Sequence, residues 1–206
     1  MIDSIIFDLD GTLWDATDAA AKVWRDVAKK YPEVTDEITA DKLKKLYGLP
    51  LEEIAVKLLL SAKKETAIAI MRESIVKQCP YIEEVGGILY PNLEVTLKEL
   101  KKKYKIFIVS NCEEGYIQCF LNAHGLHEYF EDFEYPGRSG VLKADNIRLI
   151  IKRNNLVNPV YVGDTLGDAT ATREAGIPFV FARYGFGHVD DYDYVIDSVE
   201  ELLNIL

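Results

Sequence analysis

Cysteine is scarce here and poorly spaced for metal or disulfide work. Only Cys79, Cys112 and Cys119 occur, with no CxxC pair, no zinc-ligand spacing and an odd total. A disulfide framework is therefore not expected, and the pattern fits reduced thiols in a cytoplasmic protein. Long apolar runs are missing as well. The amino-terminal stretch "SIIF" meets Asp8 within a few residues, too soon for a signal peptide or a membrane span. There is no basic stripe: 24 Lys and Arg against 34 Asp and Glu leave a net charge of -10. That balance argues against nucleic acid and anionic membranes as partners. Internal repeats and low-complexity tracts are absent, and His124, His127 and His188 lack ligand spacing.

What is present is 206 residues, 49% hydrophobic and 28% charged, enough for one α/β domain with a sizeable core and an inserted lobe. The negative surplus favours a soluble monomer or small homo-oligomer. Short β-branched or aromatic runs predict buried strands at 4–9, 105–111, 159–164, 178–183 and 194–196. Helical patterns near 92–103, 113–124, 144–154, 167–175 and 198–205 separate them. Strands alternating with helices of this length make βαβ units, hence a doubly wound α/β fold with a parallel sheet.

Residues 15–84 break that rhythm. "TDAAAKVWRDVAKKY", "TADKLKKLY", "LEEIAVKLLL" and "KETAIAIMRESIVKQC" all carry helix-period apolar positions, with Thr17, Thr39 and Ser61 placed to cap. About seventy residues without a strand predict an all-helical lobe inserted after the first strand. "EEVGGILYPN" reads as the return linker. The division expected is thus a core of 1–14 and 85–206 and a lobe of 15–84.

Ligands of open α/β sheets bind beyond the carboxyl ends of the strands, and the polar clusters fall there. Strand one ends in Asp8 and Asp10, which share a direction because side chains alternate. Gly11 permits a sharp turn after them. Strand two ends in Ser110 and Asn111, a loop near 140 offers Lys143, and "GDTLGD" supplies Asp164 and Asp168. Four crowded carboxylates repel unless a cation sits among them. An oxygen-only donor set favours Mg²⁺, which commonly shares its shell with a substrate phosphate. A lysine and a serine in the same place would then stabilise phosphoryl oxygens.

"DLDGT", "VSN", Lys143 and "GDTLGD", in this order and at strand ends, resemble the haloacid dehalogenase superfamily of hydrolases. The resemblance is to phosphatases with a helical cap after the first strand, the phosphoglycolate-phosphatase-like and β-phosphoglucomutase-like group, and it covers essentially the whole chain. It implies a Rossmann-like core and hydrolysis of a small phosphorylated molecule. Asp8 would be the nucleophile and Asp10 the acid/base. Gly11, Thr12, Ser110, Asn111 and Lys143 would bind phosphate. The metal ligands implied are Asp8, Asp10 through its backbone carbonyl, and Asp164, with Asp168 as ligand, water-holder or orienter of Lys143.

Each feature also has a plainer reading. Asp-Gly after a strand is commonly only a turn, and Asp164 or Thr165 could simply cap a helix. Joint occurrence favours chemistry. Lys143 precedes Ala144 where many relatives have proline, which leaves Arg138 and Lys152 as distant substitutes. Cys112 reads as a small buried thiol, and "DDYD" at 190–193 as a solvated acidic loop. The segment Gly48–Leu51 is either a loop leaning over the pocket or a plain helix connection. Its leucines stand where phosphomutase-like relatives place an arginine. "RYGFG" at 183–187 resembles a loop of phosphoglycolate-phosphatase-like members. The alternatives to a phosphatase are a sugar phosphomutase using the same aspartyl-phosphate and a receiver-like regulatory protein. A 2-haloacid dehalogenase would need neither Asp10 nor metal.

Overall fold

The computed structural model describes residues 2–206. Strand β1 (Ser4–Phe7) lies in the middle of a six-stranded parallel sheet completed by β4 (Lys105–Val109), β5 (Asp132–Glu134), β6 (Pro159–Gly163), β7 (Phe179–Ala182) and β8 (Tyr194–Ile196), in the order β5-β4-β1-β6-β7-β8. A small antiparallel pair, β2 (Trp14–Asp15) with β3 (Ile88–Leu89), sits where the chain leaves the sheet and where it returns. The helices are α1 (Thr17–Ala28), α2 (Ala40–Lys44), α3 (Leu51–Leu58), α4 (Lys64–Val85), α5 (Leu93–Leu100), α6 (Tyr116–His124), α7 (Pro136–Ser139), α8 (Lys143–Asn154), α9 (Leu166–Ala175) and α10 (Leu202–Ile205).

Strand alternation divides the core between the two faces of the sheet. Ile5, Phe7, Ile106, Ile108, Val160 and Val162 pack against α5, α6 and α10. Ile6, Phe107, Val109 and Tyr161 turn the other way, onto Ala144, Ile147 and Ile150 of α8 and Ala169 of α9. With both faces covered, the strands are continuously apolar, and each fully buried large side chain contributes roughly 2 kcal/mol. Helices α1 to α4 enclose a separate cluster built on Trp24, Val27, Leu43, Ile54, Leu58 and Ile70.

Several local expectations change. Five strands were expected in the sheet, and β5 makes a sixth at the edge. Its two carboxylates, Asp132 and Glu134, disguise it as loop, but Arg138 and Arg153 neutralise them at 2.7–2.9 Å. The return linker contains β3. Helix α4 runs on through Pro80 to Val85. Proline removes the N–H that would meet the Val76 carbonyl, and Val76 is 75% exposed, so water can take its place. Thr39 caps α2 by accepting from Lys42 N. Thr17 is the first residue of α1, its N–H and hydroxyl held by Asp15. Ser61 bonds Asp36 instead of starting α4. No helix among the described residues is long and apolar enough to cross a membrane.

Candidate active site

Four segments bring their polar residues to the carboxyl edge of the sheet. Asp8 follows β1, Ser110 and Asn111 follow β4, Lys143 opens α8, and Asp164 follows β6, one residue before the cap of α9. One carboxylate oxygen from each of Asp8, Asp164 and Asp168 falls within 4.8 Å of the others, and all three residues are buried. Lys143, also buried, donates to Asp8 Oδ1 at 2.7 Å and to Asp168 Oδ1 at 2.5 Å.

Each carboxylate is positioned by a different neighbour. Asp164 accepts from the Phe186 amide at 2.7 Å and the Thr12 hydroxyl at 3.3 Å. Asp168 forms a reciprocal capping box with Thr165: Oδ2 takes the Thr165 N–H and hydroxyl, while Thr165 Oγ1 takes the Asp168 N–H. Asp10 lies beside Asp8 on the same cavity, and its Oδ1 accepts from the Tyr116 hydroxyl at 2.9 Å. Gly11 has φ +83°, and a Cβ there would lie 2.7 Å from Asp164 Cγ, inside any real contact.

Two of the expected phosphate contacts have other tasks. The Gly11 N–H is committed to the Trp14 carbonyl at 2.9 Å, because the turn after Asp10 closes on itself. Thr12 is fully buried and spends its hydroxyl on Asp164. Ser110, Asn111 and Lys143 do line the cavity above Asp8 and Asp10. The proposed substitutes for Lys143 are elsewhere: Arg138 is tied to Glu134, and Lys152 is exposed and does not line the cavity.

The clustered carboxylates repel one another. Burial, then the charge of Asp168, push the Asp8 carboxyl up to about 6 despite Lys143. Burial and Asp8 raise Asp10 to about 8. Burial, Asp168 and Asp8 carry Asp164 well above the carboxylate range. Burial alone would lower Lys143, but Asp168 and Asp8 outweigh it and keep the ammonium charged. Three clustered carboxylates against one lysine, with oxygen donors only, fit a divalent cation, which would relieve this repulsion. Cys112 is buried, and burial together with Asp10 and Asp8 pushes its thiol well up, away from a nucleophilic thiolate.

The cavity, about 70 Å³, is overhung by residues of α1, α3, α4 and the loop before α3, and it opens beside them. Gly48, Leu49 and Leu51 all line it, and the Gly48 carbonyl accepts from Asn111 Nδ2 at 3.3 Å. The loop reading of Gly48–Leu51 therefore holds. At φ +90°, Gly48 sits so close to Thr165 that a Cβ would come within 3.0 Å of its hydroxyl oxygen. "RYGFG" also belongs to the site, through Phe186 N on Asp164 and the Tyr184 hydroxyl on the Thr12 carbonyl at 2.9 Å. Tyr116 escaped sequence reasoning, since it lies in no polar motif; "RYGFG" is singled out there only by resemblance, without saying that the Phe186 amide meets Asp164.

Comparison with known proteins agrees with this geometry. The family model for haloacid dehalogenase-like hydrolases matches residues 5–182. A phosphoglycolate phosphatase of Haemophilus influenzae is 29% identical over 220 residues, covering 97% of this chain and 96% of the relative. One from Vibrio vulnificus is 26% identical over 227 residues, with 100% and 96% covered. A haloacid dehalogenase-like family hydrolase from Streptococcus pneumoniae superposes with a TM-score of 0.85 at 25% identity, covering 98% of this chain and 97% of that one. The chain belongs to the haloacid dehalogenase-like hydrolase family, as a phosphatase similar to phosphoglycolate phosphatases.

Proposed function

We propose that this enzyme hydrolyses a small phosphomonoester with Mg²⁺ as cofactor, carrying the phosphoryl group transiently on Asp8. The observation that carries the reading is the convergence of Asp8, Asp164 and Asp168 within 4.8 Å, with Lys143 bridging Asp8 and Asp168 at the base of a cavity. An Asp8 oxygen attacks phosphorus and the bond to the leaving oxygen breaks. The Asp10 carboxyl gives its proton to that oxygen, so the alcohol departs neutral. Asp10, now ionised, takes a proton from water, whose oxygen attacks the acyl phosphate. The phosphorus–Asp8 bond breaks, and inorganic phosphate leaves.

Ser110, Asn111 and the remaining N–H of Lys143 hold the peripheral phosphoryl oxygens. Tyr116 holds one oxygen of Asp10, which fixes the carboxyl beside the cavity. Mg²⁺ held by Asp8, Asp164 and the Asp10 carbonyl would offset the repulsion between nucleophile and phosphate. Among the three roles open to Asp168, orienting Lys143 has the best support, since both its oxygens already carry hydrogen bonds. The division into a core of 1–14 and 85–206 and a cap of 15–84 belongs to the same reading, as does a cytoplasmic location. The relatives' name makes 2-phosphoglycolate one candidate substrate, beside small sugar phosphates and nucleoside monophosphates.

The test is phosphate release from a panel of phosphoesters, with Mg²⁺ and with EDTA, by wild type and Asp8→Asn. At least one ester should be hydrolysed, EDTA should stop the reaction, added Mg²⁺ should restore it, and Asp8→Asn should be inactive. Equal turnover by Asp8→Asn, or turnover indifferent to EDTA, overturns the reading. A phosphomutase would instead convert a hexose 1-phosphate to its isomer without free phosphate.

A further inference from the structure

The roof of the cavity differs chemically from its floor. Trp24, Leu49, Leu51, Ile54 and Ile75 face the space above Asp8 and Asp10. Negative charge comes from Asp8 and Glu113, while Asp10 carries the proton it gives to the leaving oxygen. Positive charge is confined to Lys143, already shared between Asp8 and Asp168. Among the described residues, no other lysine or arginine lines this cavity; Arg72 lines the larger space that adjoins it and is paired there with Glu52 at 3.9 Å. Lys44, a basic residue of the lobe close in sequence to Tyr47, is tied to Asp15 at 2.7 Å and stands outside.

One neutral polar group interrupts the apolar roof. Trp24 Nε1 donates to Gln78 Oε1 at 3.3 Å. An indole N–H can only donate, so this bond fixes which end of the amide is oxygen and leaves the NH₂ end for the cavity that Gln78 lines.

Resting on the phosphatase reading above, the geometry points to a leaving-group specificity: the substrate is a phosphomonoester of a small uncharged alcohol, its carbon atoms against Trp24, Ile54 and Ile75, with at most one neutral oxygen meeting the Gln78 amide. Esters carrying a second anionic group are refused. A carboxylate or second phosphate against these apolar side chains would lose hydration without gaining a cation, and would face Glu113. The first phosphate escapes this penalty because Lys143 and the floor receive it. Selection against 2-phosphoglycolate of about 100-fold or more in kcat/KM follows.

The experiment compares 2-phosphoglycolate with 2-hydroxyethyl phosphate, which has the same length and a hydroxymethyl group in place of the carboxylate. Propyl phosphate serves as the apolar reference. With wild-type enzyme and Mg²⁺, kcat/KM should favour 2-hydroxyethyl phosphate by about 100-fold, with propyl phosphate within about tenfold of it. Half-buried Ile75 tolerates a longer side chain, and in Ile75→Lys the ratio should fall by about tenfold or more as 2-phosphoglycolate gains a partner. A wild-type preference for 2-phosphoglycolate, or a ratio unmoved in folded Ile75→Lys, overturns the inference and leaves the phosphatase reading standing. Hydrolysis of no ester contradicts the phosphatase reading instead. Thermal shift then decides the roof: stabilisation by propyl phosphate and not by 2-phosphoglycolate supports the inference, and the reverse overturns it.

Discussion

Two surfaces meet across the cavity, and they differ in chemistry, in origin and in what holds them. The floor comes from loops at the ends of parallel strands and is made of charged side chains, each pinned by a specific hydrogen bond: Asp164 by Phe186 N, Asp168 by Thr165, Asp10 by Tyr116. The roof comes from helices and is made of apolar side chains such as Trp24 and Ile54 that also belong to the core of the lobe. Directional groups fixed by a sheet suit a reaction whose atoms must be held to fractions of an ångström. Apolar groups on a separate lobe suit choice of a leaving group by size and charge. If that division is right, floor substitutions act on kcat and roof substitutions act on KM.

The sharpest break of the floor is Asp8→Asn, which should lower kcat by about 10⁴-fold or more, read as phosphate release at saturating ester. Gly11→Ala comes next. It forces a side chain into Asp164 at a positive φ, so kcat should fall by about 100-fold and stability by about 2 kcal/mol, read by urea titration. Tyr116→Phe removes the bond to Asp10 and should reduce kcat about tenfold with KM little changed, because a misdirected acid transfers its proton less often. On the roof, Ile54→Ala should raise KM several-fold while kcat changes less than twofold. A kcat effect there as large as that of Tyr116→Phe would blur the comparison.

The smallest effect lies on the edge strand β5. In Asp132 and Glu134, burial pushes the carboxyls up, but Arg153 and Arg138 outweigh it and hold them below their usual range. A lowered folded-state value means stability that is present above the unfolded pKa, around pH 4.5, and lost as pH falls through the folded values. Glu134→Gln should therefore cost about 1 kcal/mol at pH 7, a modest figure because both arginines are 40–42% exposed. The cost should shrink as pH falls below about 4.5 in urea titrations, with activity at pH 7 unaffected.

The floor was more legible in the sequence than the roof or the edges. Short motifs announce Asp8, Asp10, Ser110, Lys143, Asp164 and Asp168, because strand ends in an open sheet converge by topology alone. The partners that aim these groups were hidden, since Tyr116 and Phe186 look like ordinary aromatic positions. The Gly11 amide was misassigned for a related reason: glycine signals a tight turn, but not which carbonyl its N–H will meet, and here Trp14 claims it. Strand β5 was missed because Asp132 and Glu134 are costly in a strand until Arg138 and Arg153 arrive from elsewhere in the chain. Pro80 masked the last turn of α4, whose exposed side absorbs the lost hydrogen bond. The apolar residues of the lobe read correctly as helix, yet only their assembly shows which of them face the cavity and which the lobe's own core.

The most direct test is rapid acid quench of wild type and Asp8→Asn mixed with a ³²P-labelled phosphoester and Mg²⁺, followed by peptide mapping. The account predicts acid-stable, alkali-labile label on the peptide containing Asp8 in wild type and none in Asp8→Asn. Label on another residue, or brisk phosphate release with no labelled protein at any quench time, would contradict it.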